Sequence, residues 1–216
     1  MLIKNIDRIY ISHYTKLVDR KKYLEENLSF IENEIVWLDF FDRENLTEDI
    51  INEYIWSGVT YSKDTTELPS GSVHNMTLGE IGDSIAHFYA FKEIIKDNLK
   101  NAIIFEDDIV LTDHFKNINK YMSNLPEDFD IIHIGDYNGF KPQELISPHK
   151  YFYREYKGKA GASYIVSNKF AKRVKDIKIR SVVDHFLDTL SPIIYWLEPS
   201  VVIQGTQSGV YKSCIR

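Results

Sequence analysis

Residues 102–108 constrain this chain more tightly than any other stretch, because Ala102-Ile103-Ile104-Phe105 runs directly into Glu106-Asp107-Asp108. Four apolar residues in a row suit a short strand buried on both faces, and such a strand needs helices packed on either side of its sheet. The three carboxylates then emerge where that strand leaves the core. Strand alternation sends Glu106 and Asp108 to one side and Asp107 to the other. Like charges this close repel one another unless a cation or hydrogen-bond donors compensate them. An oxygen-rich cluster suits Mg²⁺ or Mn²⁺, which takes one or two carboxylates and completes its shell with water and phosphate oxygens. A solvated acidic turn is the plainer alternative.

The remainder of the chain alternates in a compatible way. Residues 8–14 read as a strand, 16–32 as a helix with Leu17, Leu24, Leu28 and Ile31 on one face, 34–41 as a strand, and 47–56 as a helix capped by Thr47. Thr77 can cap a long helix reaching about residue 98, in which Ile81, Ile85, Phe88 and Ile95 fall near the helical period. Apolar runs at 129–134, 162–166, 193–197 and 201–203 read as later strands, with helices over 168–176 and 183–190. This pattern predicts an α/β fold whose ligands collect outside the carboxyl ends of the strands. Residues 57–77 are polar and too long for a routine connection, which predicts a functional loop or lid.

Of the 216 residues, 44% are hydrophobic, enough for a substantial core in a single domain. The net charge of −6 argues against sequence-blind nucleic-acid binding, which leans on a basic footprint. No run approaches the roughly 20 apolar residues that span a bilayer, and residues 1–8 are too polar for a signal peptide, so a cytoplasmic location is expected. The single cysteine, Cys214, excludes an intrachain disulfide and a cysteine-based metal site. Charge is unevenly spread: residues 141–180 hold eleven Lys and Arg against three Asp and Glu, a balance of +8 that leaves −14 elsewhere. An anionic acceptor or surface meeting the later part of the fold is one reading, and a solvated helix face is the other.

The helix before the acidic strand opens Thr77-Leu78-Gly79-Glu80-Ile81-Gly82 and continues through His87. Gly79 and Gly82 each weaken a helix by about 1 kcal/mol relative to alanine, so they imply close backbone approach by another segment or a ligand. Glu80 and His87 stand two turns apart on one face. Taken alone, His87 is better read as a core histidine with one backbone partner.

Together these residues carry a resemblance. Thr77-Leu78-Gly79-Glu80-Ile81-Gly82 with His87, followed by Ile103-Ile104-Phe105-Glu106-Asp107-Asp108, resembles the paired signature of glycosyltransferase family 25, the lipopolysaccharide-biosynthesis and procollagen galactosyltransferase type. Arg8-Ile9-Tyr10-Ile11 with Asp19-Arg20-Lys21 is similar to the opening strand and helix of that family. Phe129-Asp130-Ile131-Ile132-His133-Ile134-Gly135, Gly161-Ala162-Ser163-Tyr164-Ile165-Val166, Val183-Asp184-His185-Phe186-Leu187 and Glu198-Pro199 follow in the expected order. Two places depart from it. Ile11-Ser12-His13-Tyr14 replaces an Ile-Asn-Leu-like strand end, and Ala86 stands where the family commonly has serine.

The resemblance implies a GT-A-like nucleotide-binding fold with a mixed, mainly parallel central sheet flanked by helices. It implies one domain over 1–216, with a donor part at about 1–125 and an acceptor part at about 126–216. The implied reaction moves a hexose, most often galactose from UDP-galactose, to a hydroxyl of a glycan, glycolipid or protein, with inversion. Mn²⁺ or Mg²⁺ would be held by Asp108 and Glu106, with Asp107 in support. Donor binding falls to Glu106, Asp107, Gly79, Glu80, Gly82, His87, Arg20 and Gln204; Gln204 and Gln207 with Ser208, after the last strand, read either as closing over phosphate or sugar or as a plain polar tail. Inversion by direct displacement needs a base for the acceptor proton, and Asp184 is the first candidate and Asp136 the second. An N-cap and a turn residue are the plainer readings of those two. Peripheral membrane contact is compatible with this function. Two other activities fit the same acids, a metal-dependent phosphohydrolase and a catalytically silent nucleotide-sugar binder.

Overall fold

The computed structural model describes residues 1–62, 75–136, 139, 141–142, 150–158 and 161–213. The first half forms β1 (Arg8–Ser12), α1 (Val18–Leu28), β2 (Glu34–Leu38), α2 (Glu48–Tyr54), β3 (Thr60–Ser62), β4 (Asn75–Thr77), α3 (Leu78–Lys96) and β5 (Asn101–Glu106). Then come β6 (Ile109–Leu111), a 3₁₀ turn at Asp113–Asn117, α4 (Ile118–Met122), β7 (Ile131–His133), β8 (Gly135–Asp136) and β9 (Phe152–Glu155). The chain continues with β10 (Ser163–Ser167), α5 (Asn168–Val174), α6 (Val183–Thr189), β11 (Ile194–Leu197) and β12 (Val202–Gln204).

Seven strands build the central sheet in the order β2-β1-β5-β10-β7-β11-β9. β2, β1, β5, β7 and β11 run one way and β10 and β9 run against them, so the sheet is mixed and mainly parallel. β6, β12 and β8 form a second sheet, and β3 pairs with β4.

Alternation along the strands divides the core in two. Tyr10, Ala102, Ile104, Tyr164 and Val166 face one cluster, shared with Ile51, Ile85, Phe170 and Phe186 of α2, α3, α5 and α6. Ile9, Ile11, Ile103, Phe105 and Ile165 face the other, shared with Leu24 and Leu28 of α1 and with Phe115, Ile118 and Met122. Ile103, Ile104 and Phe105 are fully buried. Burial of such side chains stabilises by about 1.5–3 kcal/mol each, which fixes β5 in the interior of the sheet, between β1 and β10.

The observed elements differ from the sequence pattern mainly at their ends. The helix expected over 16–32 ends at Leu28, because the Asn33 side chain accepts from the Ile3 amide at 2.6 Å and donates to the Ile6 carbonyl at 2.7 Å, tying the chain to the amino-terminal segment. The strand expected over 129–134 covers only Ile131–His133, and after Ile134 the chain joins the second sheet as β8. β6 and the edge strand β9 have no counterpart in the sequence reading. Of the expected loop or lid at 57–77, residues 63–74 lie outside the described residues.

Candidate active site

Leu38, Ser12 and Glu106 are register partners, so the carboxyl ends of β2, β1 and β5 finish level. A cleft of about 460 Å³ opens there, walled by the first turns of α3, the start of α6 and the segment after β12.

Two local devices bring α3 to this cleft. Glu80 N donates to Thr77 Oγ1 at 3.2 Å and Thr77 N donates to Glu80 Oε2 at 2.7 Å, a complete capping box. The second device is Gly82. A Cβ at that position would stand 2.2 Å from the carbonyl oxygen of Phe41, so only glycine lets the helix pack this closely on the chain after β2. Asp83, the next residue, and His87, one turn further, thereby reach the end of β5.

Asp83, His87 and Glu106 each place a ligand atom within 4.8 Å of the other two. Ser12 Oγ donates to Asp83 Oδ1 at 2.7 Å. His87 is fully buried, with Nδ1 2.7 Å from the Tyr164 hydroxyl. Its Nε2 lies 3.6 Å from Asp83 Oδ1 and has no hydrogen-bond partner among the described residues. Burial pushes the Glu106 carboxyl well above the usual range, and the charges of Asp83, Asp108, Asp184 and Asp107 push it further. Burial opposes the charged form of Asp83 as well, but the His87 ring and the Ser12 hydroxyl hold that group below its ordinary value. A buried, unpartnered ring nitrogen beside two carboxylates is a donor set that fits a divalent cation.

Asp107 and Asp108 form a turn, so strand alternation stops at Glu106. Asp107 accepts from Arg20 at 2.7 Å and from the Tyr14 amide at 3.1 Å, and lies 2.9 Å from His13 Nδ1. Arg20 also donates to the Lys212 carbonyl at 2.6 Å and lies over the Tyr211 ring. Asp108 Oδ2 accepts from the hydroxyl and amide of Thr206, whereas its Oδ1 is buried without a partner. Burial raises the Asp108 carboxyl against the opposing pull of the Thr206 hydroxyl. The triplet thus divides its contacts: Glu106 faces α3, Asp107 holds α1, and Asp108 holds the segment after β12.

Asp184 lines the same cleft, and its Oδ1 accepts from the Gly161 amide at 2.5 Å. A Cβ on Gly161 would lie 2.5 Å from that oxygen and 3.3 Å from Glu106 Oε1, so both acids look onto the Gly161 backbone. Burial, reinforced by the charge of Asp83, raises the Asp184 carboxyl. Asp136 stands apart in β8 and is not among the described residues that line the cleft. Gly79, Glu80, Gly82, Arg20, Gln204 and Gln207 do line it. His87 lies behind the wall, and Ser208 bonds back to the Gly205 carbonyl. Asp83 and Thr206 are absent from the sequence reading, and Tyr164 enters it only within the run 161–166, with no role at the site. Only Asp83 carried a signal there, its spacing four residues before His87 on one helix face.

Part of the basic stretch is engaged within the fold. Lys169 and Arg173 pair with the fully buried Asp130 at 3.1 and 2.9 Å, and Lys178 donates to the Asn52 carbonyl at 3.0 Å. Among the described residues no helix is long and apolar enough to cross a membrane.

Comparison with known proteins places these residues in context. A family model described as "Glycosyltransferase family 25 (LPS biosynthesis protein)" matches residues 6–187. "Inactive glycosyltransferase 25 family member 3" of Mus musculus is 24% identical over 136 residues, covering 60% of this chain and 22% of the mouse protein. "Procollagen galactosyltransferase 2" of Homo sapiens is 34% identical over 64 residues, covering 28% of this chain and 10% of the human protein. The matched parts are thus under a quarter of either relative's length. Among solved structures, "a glycosyltransferase involved in the glycosylation of the major capsid of PBCV-1" aligns with a TM-score of 0.37 at 10% identity, covering 78% of this chain and 64% of that one.

Proposed function

Because the chain belongs to glycosyltransferase family 25, we propose that it moves a hexosyl group, galactose from UDP-galactose, onto a hydroxyl of a glycan, glycolipid or protein acceptor with inversion. The observation that carries this reading is the convergence of Asp83, Glu106, Asp108 and Asp184 on one cleft at the carboxyl ends of three parallel strands. Ligands of open α/β sheets gather at that edge.

Seven carboxylates and two guanidinium groups, Arg20 and Arg43, line the cleft among the described residues. A diphosphate donor would be repelled from such a surface without a compensating cation. Asp83, His87 and Glu106 would hold Mn²⁺ or Mg²⁺, with the unpartnered oxygen of Asp108 facing the same cleft. Bound there, the ion would supply positive charge to offset the charge developing on the departing diphosphate.

The remaining roles fall to the chain's own groups. Asp184 takes the proton of the acceptor hydroxyl as the new C–O bond forms. It lines the cleft, the Gly161 amide fixes its orientation, and its raised proton affinity suits a base working nearer neutral pH. Asp184 is preferred to Asp136 because only Asp184 lines the cleft among the described residues. The segment bearing Gln204, Thr206 and Gln207, pinned by Asp108, offers polar groups to the sugar or phosphate.

The name of the mouse relative favours a second reading, a nucleotide-sugar binder without turnover. A panel of UDP-sugars with and without Mn²⁺, scored for binding and for UDP release, separates the readings. Transfer requires UDP release that depends on an acceptor. Release indifferent to acceptor points to hydrolysis, and binding with no release to a silent module.

A further inference from the structure

Building on the metal-dependent reading of the cleft, we propose that Tyr164 is a positioning residue whose hydroxyl fixes the His87 ring, so that Nε2, Asp83 and Glu106 form a three-sided site for a divalent cation that accepts an imidazole nitrogen. A histidine can present either ring nitrogen, and the partner of one nitrogen decides which is left to bind. Tyr164 Oη lies 2.7 Å from His87 Nδ1. With Nδ1–H donating to that oxygen, Nε2 turns its lone pair toward Asp83 and Glu106.

Tyr164 is well placed to impose this. It is fully buried in β10 at the centre of the sheet, paired with Ile104 of β5 on one side and His133 of β7 on the other. His87 has equally little freedom, being fully buried in α3, whose approach to β5 is set by Gly82. A buried ring nitrogen facing two carboxylates needs a positive charge between them, a proton on Nε2 or a cation, and a bound divalent ion would take the place of that proton. The donor set of one imidazole and two carboxylates also selects among ions. Mg²⁺ prefers an all-oxygen shell, so Mn²⁺, Co²⁺ and Zn²⁺ gain over it at this site.

The test is Mn²⁺ binding by the purified chain, with and without UDP, followed by electron paramagnetic resonance of free and bound ion. Wild type is expected to bind Mn²⁺ with one directly coordinated nitrogen visible in the pulsed spectrum. Tyr164→Phe removes only the hydroxyl, and its Mn²⁺ affinity is expected to fall about 10- to 100-fold with an altered nitrogen coupling. Asp83→Asn is expected to weaken binding too, and Mg²⁺ to compete poorly. Bound Mn²⁺ without a nitrogen signal overturns the Tyr164 inference while leaving a metal in the cleft. So does a folded Tyr164→Phe that binds like wild type with the same coupling. If wild type binds no Mn²⁺ in either condition, the metal-dependent reading falls and this inference with it. Should Tyr164→Phe fail to fold, His87→Gln carries the test, and retention of the nitrogen coupling in that variant overturns the assignment.

Discussion

Substituting alanine for Gly161 puts a methyl group against both acids at the heart of the proposed reaction. The added carbon would lie 2.5 Å from Asp184 Oδ1, 3.2 Å from Val183 Cγ1 and 3.3 Å from Glu106 Oε1. The first of these distances cannot persist, and the atom that yields is the end of a side chain, so the Asp184 carboxylate swings away and gives up the Gly161 amide. A hydrogen bond to a charged group contributes about 1.5–3 kcal/mol, which in a misplaced base corresponds to a loss of roughly 10- to 100-fold in kcat. Gly161 does not occupy the left-handed region, so alanine adds no backbone strain there, and the lost hydrogen bond, partly offset by a gain of about 0.4–1 kcal/mol from the stiffer unfolded chain, is expected to lower folding stability by about 1–2 kcal/mol. Acceptor-dependent UDP release gives kcat and the donor KM, and a thermal melt reports the fold. The expected result is a lowered kcat, a nearly unchanged donor KM and a cooperative melt lowered by only about 2–8 °C. A folded Gly161→Ala enzyme with kcat within about twofold of wild type would refute the assignment of Asp184 as the base held by this amide.

Other expectations follow from the same geometry. At Gly82, alanine gains about 1 kcal/mol of helix propensity but meets a backbone oxygen at 2.2 Å, an overpacking that costs about 1–3 kcal/mol, so Gly82→Ala should melt below wild type. A variant melting at or above wild type would contradict the close approach of α3 to Phe41. Burial and the charge of Asp83 raise the Asp184 carboxyl, and a base must be ionised, so kcat should be full above that raised value and fall as pH drops through it. The acid limb should therefore lie above the ordinary aspartate value of about 3.9, and a limb at or below it moves the base elsewhere. The linked effect on folding has the opposite sense. Asp184 holds its proton more tightly when folded, so its contribution to stability is complete below its unfolded value and lost as pH rises through the folded one. For an anionic acceptor approaching the basic stretch, charge reversal at Lys172, which unlike Arg173 is not paired with the buried Asp130, and added salt should both raise the acceptor KM. A KM indifferent to both removes that idea.

What the sequence made legible is the frame of the site. The apolar run before Glu106 sufficed to place β5 in a sheet covered on both faces, and its residues divide between the two cores as strand alternation requires. Thr77 was readable as a cap, its reciprocal bond with Glu80 was not, and the close approach implied by Gly82 is found at the Phe41 carbonyl. Contacts made across the fold were not legible. Asp107 meets Arg20 from 87 positions away and Asp108 meets Thr206 from 98, and no local pattern encodes either pair. Asp83 reads as an ordinary polar residue on a helix until the packing of α3 puts it beside Glu106. Tyr164 looks like any other aromatic in a strand, since its role depends on a histidine from another element. β6 and β8 have only three and two residues, too few to display a period.

Glu106 is where these contacts meet, and its isosteric replacement is the most direct trial of the proposal. With the preferred UDP-sugar, an acceptor and saturating Mn²⁺, wild type should release UDP, chelation should stop it, and a folded Glu106→Gln should release almost none. Turnover by Glu106→Gln at the wild-type rate, or release untouched by a chelator, would contradict a transferase built on this cluster.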